Sequence, residues 1–380
     1  MGIAHKSFIR EILKVTEDSN IISFAGGLPN PAFFPVKEIA EAAAKIFEMD
    51  GRNVLQYSTT EGYLPLRKYI AERYLKRNGL KIHPDQILIT NGSQQGLDLI
   101  GKAFLNKGDG VVIESPGYLG AIQAFSIYEP TFKSVSLLDD GIDIDMLKKT
   151  VRDEQIKLVY TVPTFQNPSG ITYSRQKRKD VANILEKHDV IFIEDNPYYE
   201  LRFAGEDLPL IRNFREENSI LLGSFSKIVS PGLRLGWICT TNEIMEKIII
   251  AKQASDLHSN YLAQRIVYQY LIDNDIDKHI IKIRDAYKIR RDLMVSMISE
   301  HFPEEIEFTK PEGGMFLWIT LPEKISSLDL FEHAIKENVA FVPGNPFYVN
   351  GGGNNTLRLN FSNSDEEQIE IGIKRLANII

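Results

Sequence analysis

The side chains best suited to chemistry stand directly after short apolar runs, in four places. The run 190–194 delivers Asp195 and then Asn196-Pro197-Tyr198, and the run 158–162 leads through Pro163 to Asn167-Pro168-Ser169-Gly170. The run 220–222 opens into Gly223-Ser224-Phe225-Ser226-Lys227, with Arg234 following, and 86–90 opens into Asn91-Gly92-Ser93-Gln94. A lysine beside two serines and an arginine has what a phosphorylated aldehyde needs: the amine forms an imine, while hydroxyls and guanidinium hold the phosphate. Ser93 and Gln94, at a helix start, add backbone N–H donors and the positive end of the helix dipole. An aspartate suits a pyridine nitrogen, because the carboxylate keeps that nitrogen protonated and makes the ring an electron sink. Asn167 and Tyr198 are donors for a phenolate oxygen on such a ring. Tyr118, just past the run 110–114, is placed to lie on the ring face.

These residues need a scaffold that brings strand ends together. From about residue 86 to 240, apolar runs at 86–90, 110–114, 158–162, 190–194, 220–222 and 235–239 alternate with helical patterns at 93–106 and 174–188, which predicts βα units and a mostly parallel sheet. In such a sheet ligands bind at the carboxyl ends of the strands. A long amphipathic helix over 277–302 then leads to a hairpin (306–309 and 315–320 around Pro-Glu-Gly-Gly), a helix 328–337, strands 339–342 and 357–361, and a closing helix from Asp365. That mixture predicts a smaller α+β domain, completed by the N-terminal segment. The Gly351-Gly352-Gly353 cluster reads as a surface turn, and the bonds before Pro163 and Pro168 are the places to look for a cis peptide.

Composition narrows the class. The 380 residues include 44 basic and 51 acidic side chains, a net charge of −7, with 43% hydrophobic and 25% charged residues. These are proportions of an ordinary globular protein able to bury a large core. Basic residues are spread evenly, so no stripe for nucleic-acid phosphates exists. The lone Cys239 sits in an apolar run and reads as a small core residue. The first 20 residues space Phe8, Ile9, Ile12 and Leu13 as an amphipathic helix rather than a signal peptide; Lys6 breaks a myristoylation pattern at Gly2, and no run spans a bilayer. The expected location is the cytoplasm.

Taken together, Ser-Phe-Ser-Lys227 with Arg234, Asp195-x-x-Tyr198, Asn167-Pro-x-Gly170, Asn91-Gly-Ser-Gln94-Gln and Arg358 resemble the pyridoxal-phosphate (PLP) aminotransferases of fold type I, class I/II, over nearly the whole chain. Ser23-Phe-Ala-Gly-Gly-Leu-Pro29 and Gln56-Tyr57-Ser-Thr-Thr-Glu-Gly62 look most like the 2-aminoadipate, kynurenine and aromatic types. The resemblance implies an α/β fold of segments 1–40 (joining the small domain), 41–285 (large PLP-binding domain) and 286–380 (small domain). It implies Lys227 as Schiff-base lysine and proton carrier, Asp195 at the ring nitrogen, and Asn167 and Tyr198 at the phenolate oxygen. Phosphate would be held by Ser93, Gln94, Ser224, Ser226 and Arg234, and by Tyr57 from the neighbouring subunit of a homodimer. Arg358 would grip the α-carboxylate, Gly27 would let it approach the backbone, and Arg10 looks like a mobile arginine for a distal carboxylate, though an exposed helix arginine is an equal reading.

Each residue alone also suits a bland role, as a solvated lysine, a turn aspartate or an edge-strand arginine; their conjunction in order decides. Other motifs fail. Ser224-x-x-Lys227 lacks the companion motifs of a penicilloyl-serine enzyme. Gly96-x-x-x-x-Gly101-Lys102 is followed by Ala103 instead of Ser or Thr. Asp273-Asn-Asp275-Ile-Asp277 has Lys278 where a calcium loop needs glycine, and scattered histidines offer no zinc set. The expected activity is transfer of an amino group between an amino acid and a 2-oxo acid such as 2-oxoglutarate. A C–S lyase or decarboxylase using the same electron sink is the alternative. A PLP-sensing regulatory domain ranks lower, since about 20 residues precede the first motif.

Overall fold

The computed structural model describes residues 20–380; the expected N-terminal amphipathic helix, with Arg10, falls outside them. In chain order the strands are β1 (Ile22–Ser23), β2 (Ile87–Thr90), β3 (Gly110–Ser115), β4 (Thr131–Leu138), β5 (Gly141–Ile142), β6 (Ile156–Thr161), β7 (Ile191–Asp195), β8 (Ser219–Ser224), β9 (Gly236–Cys239), β10 (Glu307–Phe308), β11 (Phe316–Thr320), β12 (Val339–Ala340), β13 (Val342–Pro343) and β14 (Thr356–Asn360).

Eight strands form one sheet in the order β2-β9-β8-β7-β6-β3-β4-β5. Neighbours from β8 through β4 pair in parallel, whereas β9 runs antiparallel to both β8 and β2. β2 therefore points the same way as β8. The carboxyl ends of β2, β3, β6, β7 and β8 share one edge, and β9 begins there. β8 and β9 inside the sheet and β2 at its end are wholly buried and mostly apolar, as expected when helices cover both faces. Helix Ser93–Phe104 lies close on that sheet: a Cβ at Gly96 would stand 3.2 Å from Leu222 and 3.4 Å from Ile238. Helix Arg175–Leu185 starts where Ser174 accepts the Lys177 N–H, a cap worth about 1 kcal/mol.

The second sheet, β10-β11-β14-β13, is antiparallel, and the predicted hairpin is β10 and β11. Arg358 lies on β14 between Trp318 of β11 and Val342 of β13. The single strand expected over 339–342 is instead two. β12 pairs in parallel with β1, while β13 joins the antiparallel sheet at its edge, where Pro343 lacks an N–H to donate. Strands β4 and β5 were not anticipated, because β4 is half-exposed and mixes Lys133 and Ser134 into its apolar positions. The 26-residue helix Ile276–His301 runs unbroken through position 285, the expected domain boundary.

Candidate active site

All the site residues read from the sequence line one cavity of about 330 Å³ at the shared strand edge, save Tyr57 and Arg10. Tyr57 stands 78% exposed on the surface, its ring edge-on to His258 at 5.8 Å; Arg10 lies outside the described residues.

At the phosphate end, Ser93 begins its helix directly after Gly92, whose φ of +77° turns the chain. A Cβ there would meet the Arg234 guanidinium at 2.5 Å, so any other residue would strain this turn and displace the arginine. Arg234 itself holds a left-handed backbone at φ +52°, a strained state for a non-glycine residue that recurs at functional sites. Its Nη2 donates to the Asn91 carbonyl at 3.3 Å. The Ser224 hydroxyl accepts the Ser226 N–H at 3.1 Å, and Gln94 Nε2 donates to Gly120 O at 2.8 Å. Two hydroxyls, a guanidinium and a helix N-terminus thus line the same cavity, the donor set of an anion site.

Asp195 closes β7 and is 1% exposed. Its Oδ2 accepts from the Tyr160 hydroxyl at 2.8 Å, whereas Oδ1 is buried and unpartnered. Burial pushes this carboxyl up to about 7, against the opposing Tyr160 hydroxyl and Asn196 backbone. Lys227 Nζ donates to Gly27 O at 2.9 Å and stands 5.9 Å from the Tyr198 ring centre. Burial, and then repulsion from Arg358 and Arg234, pulls its ammonium down to about 8, so a large share is free amine in mildly alkaline solution. Asn167, joined to Pro168 by a cis bond, donates Nδ2 toward Tyr198 Oη at 3.4 Å and accepts Arg358 Nη1 on Oδ1 at 2.8 Å. The other cis bond among the described residues precedes Pro116, and that before Pro163 is trans.

Arg358 is 2% exposed; its Nη2 donates to Ala25 O at 2.7 Å, and its guanidinium centre lies 4.3 Å from the Phe316 ring and 5.5 Å from Phe347. Stacked and bonded at both Nη atoms, the fork is preset for a planar carboxylate. Tyr118 precedes helix Leu119–Ser126, and burial and then Asp195 raise its phenol to about 12, so it stays neutral.

Sequence reasoning missed the residues behind these. Glu114 on β3 accepts from Tyr173 Oη at 2.5 Å, Gln166 Nε2 at 3.1 Å and Val162 N, and Gln166 Oε1 in turn accepts Ser169 N, which brackets the Asn167 turn. Glu114 could have been found, since it ends an apolar run as Asp195 does. Tyr160 carries no such signal, being buried inside its strand.

The donor set fits PLP: an orphaned carboxylate oxygen for a ring nitrogen, an amine of lowered pKa, donors for a phenolate oxygen and an anion cradle converge on one cavity. A family model, aminotransferase class I and II, matches residues 20–376. The aromatic-amino-acid aminotransferase 1 of Thermococcus litoralis is 45% identical, with 98% of this chain and 91% of that protein aligned. The 2-aminoadipate transaminase of Thermus thermophilus is 42% identical, covering 100% and 95%. The crystal structure of Pyrococcus horikoshii kynurenine aminotransferase, in complex with PMP, KYN as substrates and KYA as products, superposes with a TM-score of 0.95 at 46% identity over 99% of this chain and 94% of that one. Lyase, decarboxylase and sensor readings give way to transamination. The chain belongs to the class I and II aminotransferases and is a PLP-dependent transaminase of fold type I.

Proposed function

We propose that the enzyme moves the amino group of an aromatic, 2-aminoadipate-like or similarly long-chain amino acid to a 2-oxo acid such as 2-oxoglutarate. One juxtaposition carries this reading: Lys227, the free Oδ1 of Asp195 and the fork of Arg358 surround a single cavity, with Leu28 and Tyr118 also in its wall. The relatives named for aromatic amino acids and 2-aminoadipate support the donor class.

When bound, PLP supplies an electron-withdrawing ring that stabilises negative charge at the substrate Cα. Ser93, Gln94, Ser224, Ser226 and Arg234 would hold its phosphate, Asp195 its ring nitrogen, Asn167 and Tyr198 its ring oxygen, and Tyr118 would cover the ring. Arg358 takes the substrate α-carboxylate on its two Nη atoms, and Gly27 leaves that approach open. Lys227 Nζ would take and hold the Cα proton, a task suited to an amine whose pKa is lowered toward 8. Arg10 meets a distal carboxylate when the donor has one.

The active unit is a homodimer in which Tyr57 reaches the neighbour's phosphate; the exposure of Tyr57, Leu55 and Met49 at 78%, 69% and 68% supports a covered face here. We divide the chain at 1–40, 41–285 and 286–380, with β1 tying the first segment to the last through β12. No described helix is long and apolar enough to cross a membrane, and the one thiol, Cys239, is buried; we place the enzyme in the cytoplasm.

A panel of amino donors with 2-oxoglutarate tests the activity. Turnover is expected with aromatic donors and 2-aminoadipate, and no oxo acid from any donor would overturn the reading. Arg10→Ala is expected to weaken 2-aminoadipate and glutamate more than phenylalanine; equal loss removes the proposed role of Arg10.

A further inference from the structure

The two oxygens of Asp195 are not equivalent. Oδ2 is engaged by Tyr160 Oη at 2.8 Å, and Oδ1 has no partner among the described residues. The backbone N–H of Asn196 gives its own hydrogen bond to Leu222 O at 3.1 Å. Among the described residues, the Tyr160 hydroxyl is the one side-chain donor to this carboxylate. Tyr160 sits on β6, in register with Ile193 of β7, is wholly buried, and packs edge-on to Phe125 at 6.0 Å. Strand pairing and ring packing hold its hydroxyl where Asp195 is the acceptor.

Burial and the neighbouring carboxylate keep the Tyr160 phenol well above its ordinary range, so the proton stays on Tyr160 and the bond is O–H donating to a carboxylate. Other titratable groups bear on the site from the elements around it: Glu114 on β3, Tyr118 after β3 and Tyr198 after β7. The phenols are neutral near pH 7, and a charged Glu114 disfavours the charged form of Asp195. A buried carboxylate without a strong donor takes up a proton instead of holding its charge.

We propose that Tyr160 is a positioning residue for the transamination chemistry: by donating to Oδ2 it favours the ionised form of Asp195 and leaves Oδ1 for the cofactor cavity. The inference rests on the assignment of Asp195 to the ring nitrogen. Without the hydroxyl, the carboxylate loses both its orientation and its main compensation for burial.

Tyr160→Phe removes one oxygen and leaves the ring packing against Phe125, so the variant is expected to fold. In apoprotein labelled with ¹³C at aspartate carboxyls, the Asp195 signal is identified by its loss in Asp195→Asn and titrated with pH. In Tyr160→Phe its midpoint is expected about one pH unit higher, the tenfold worth of a charge-assisted hydrogen bond. PLP dissociation constants are then measured for the wild type, both single variants and the double variant. Tyr160→Phe is expected to weaken binding about tenfold, but less than about twofold when Asp195 is already Asn. An unchanged Asp195 midpoint in folded Tyr160→Phe, or an equal affinity loss in both backgrounds, would overturn the proposal. If Asp195→Asn itself leaves PLP affinity intact, the ring-nitrogen assignment fails, while the carboxyl titration still decides what Tyr160 does to Asp195.

Discussion

The cavity places two oppositely perturbed groups within one small volume: an amine whose pKa is lowered and a carboxyl whose pKa is raised, both mainly by burial. Paired shifts of this kind mark functional sites. Lys227→Ala is expected to abolish transamination and the borohydride-fixable attachment of PLP; persistence of that attachment would assign the cofactor to another lysine. Because only the free amine attacks the aldehyde, covalent reconstitution of the apoenzyme should quicken as pH rises and level off above about 8. A rate that kept climbing to pH 10 would mean that Lys227 titrates at its ordinary value. Arg358→Lys keeps the charge but loses the fork that bonds Asn167 Oδ1 and Ala25 O between two aromatic rings. KM for the amino acid is expected to rise about 10- to 100-fold, with a smaller change in kcat.

At the scale of elements, the site depends on a few backbone turns at strand ends. Gly92 joins β2 to the helix Ser93–Phe104 with φ +77°, and any Cβ there strikes the Arg234 guanidinium. Gly92→Ala is therefore expected to cost about 1–3 kcal/mol in thermal or denaturant unfolding and to weaken PLP binding by more than tenfold. Wild-type affinity in a folded Gly92→Ala protein would show that the phosphate does not use this turn. Elements carrying chemistry at their ends were the ones most visible in the sequence, since unbroken apolar runs followed by polar residues announce both a buried strand and its edge. Strand β4 escaped because its half-exposed run mixes polar with apolar residues, and β5 because two residues carry no periodicity. The break between β12 and β13 escaped because periodicity cannot tell that adjacent residues pair with different sheets.

For the molecule as a whole, holding a buried carboxyl ready for a cofactor lowers the stability of the empty protein. Asp195 titrates near 7 when folded and near 3.8 in a model peptide, so between those values the folded state holds the extra proton and its stability falls as pH rises. Apoprotein Asp195→Asn is expected to be more stable than wild type at pH 8, and the difference should vanish as pH falls from 7 toward 4. Equal stability at pH 8 would mean that the carboxylate carries no net burial cost. The proposed dimer has its own test. Lys227→Ala and Tyr57→Ala chains, each deficient alone, are expected to recover one intact site when mixed, because a site with Lys227 meets its partner's Tyr57. Absence of recovery in demonstrated mixed dimers would confine each site to its own chain.

The sequence by itself singled out the residues proposed for the chemistry and set them after buried strands, because apolar runs, turn residues and helix starts are set by neighbours along the chain. It also carried Arg358 and Gly27 as parts of a family pattern without showing how they meet Lys227. Only the tertiary structure decided that the Gly27 carbonyl takes the Lys227 amine, that Arg358 crosses from the small sheet to Asn167, and that Tyr160 holds one oxygen of Asp195 while the other stays free. Those contacts join residues far apart in the chain, and the shifted proton affinities follow from the burial that packing of whole layers creates, which no local window of sequence contains.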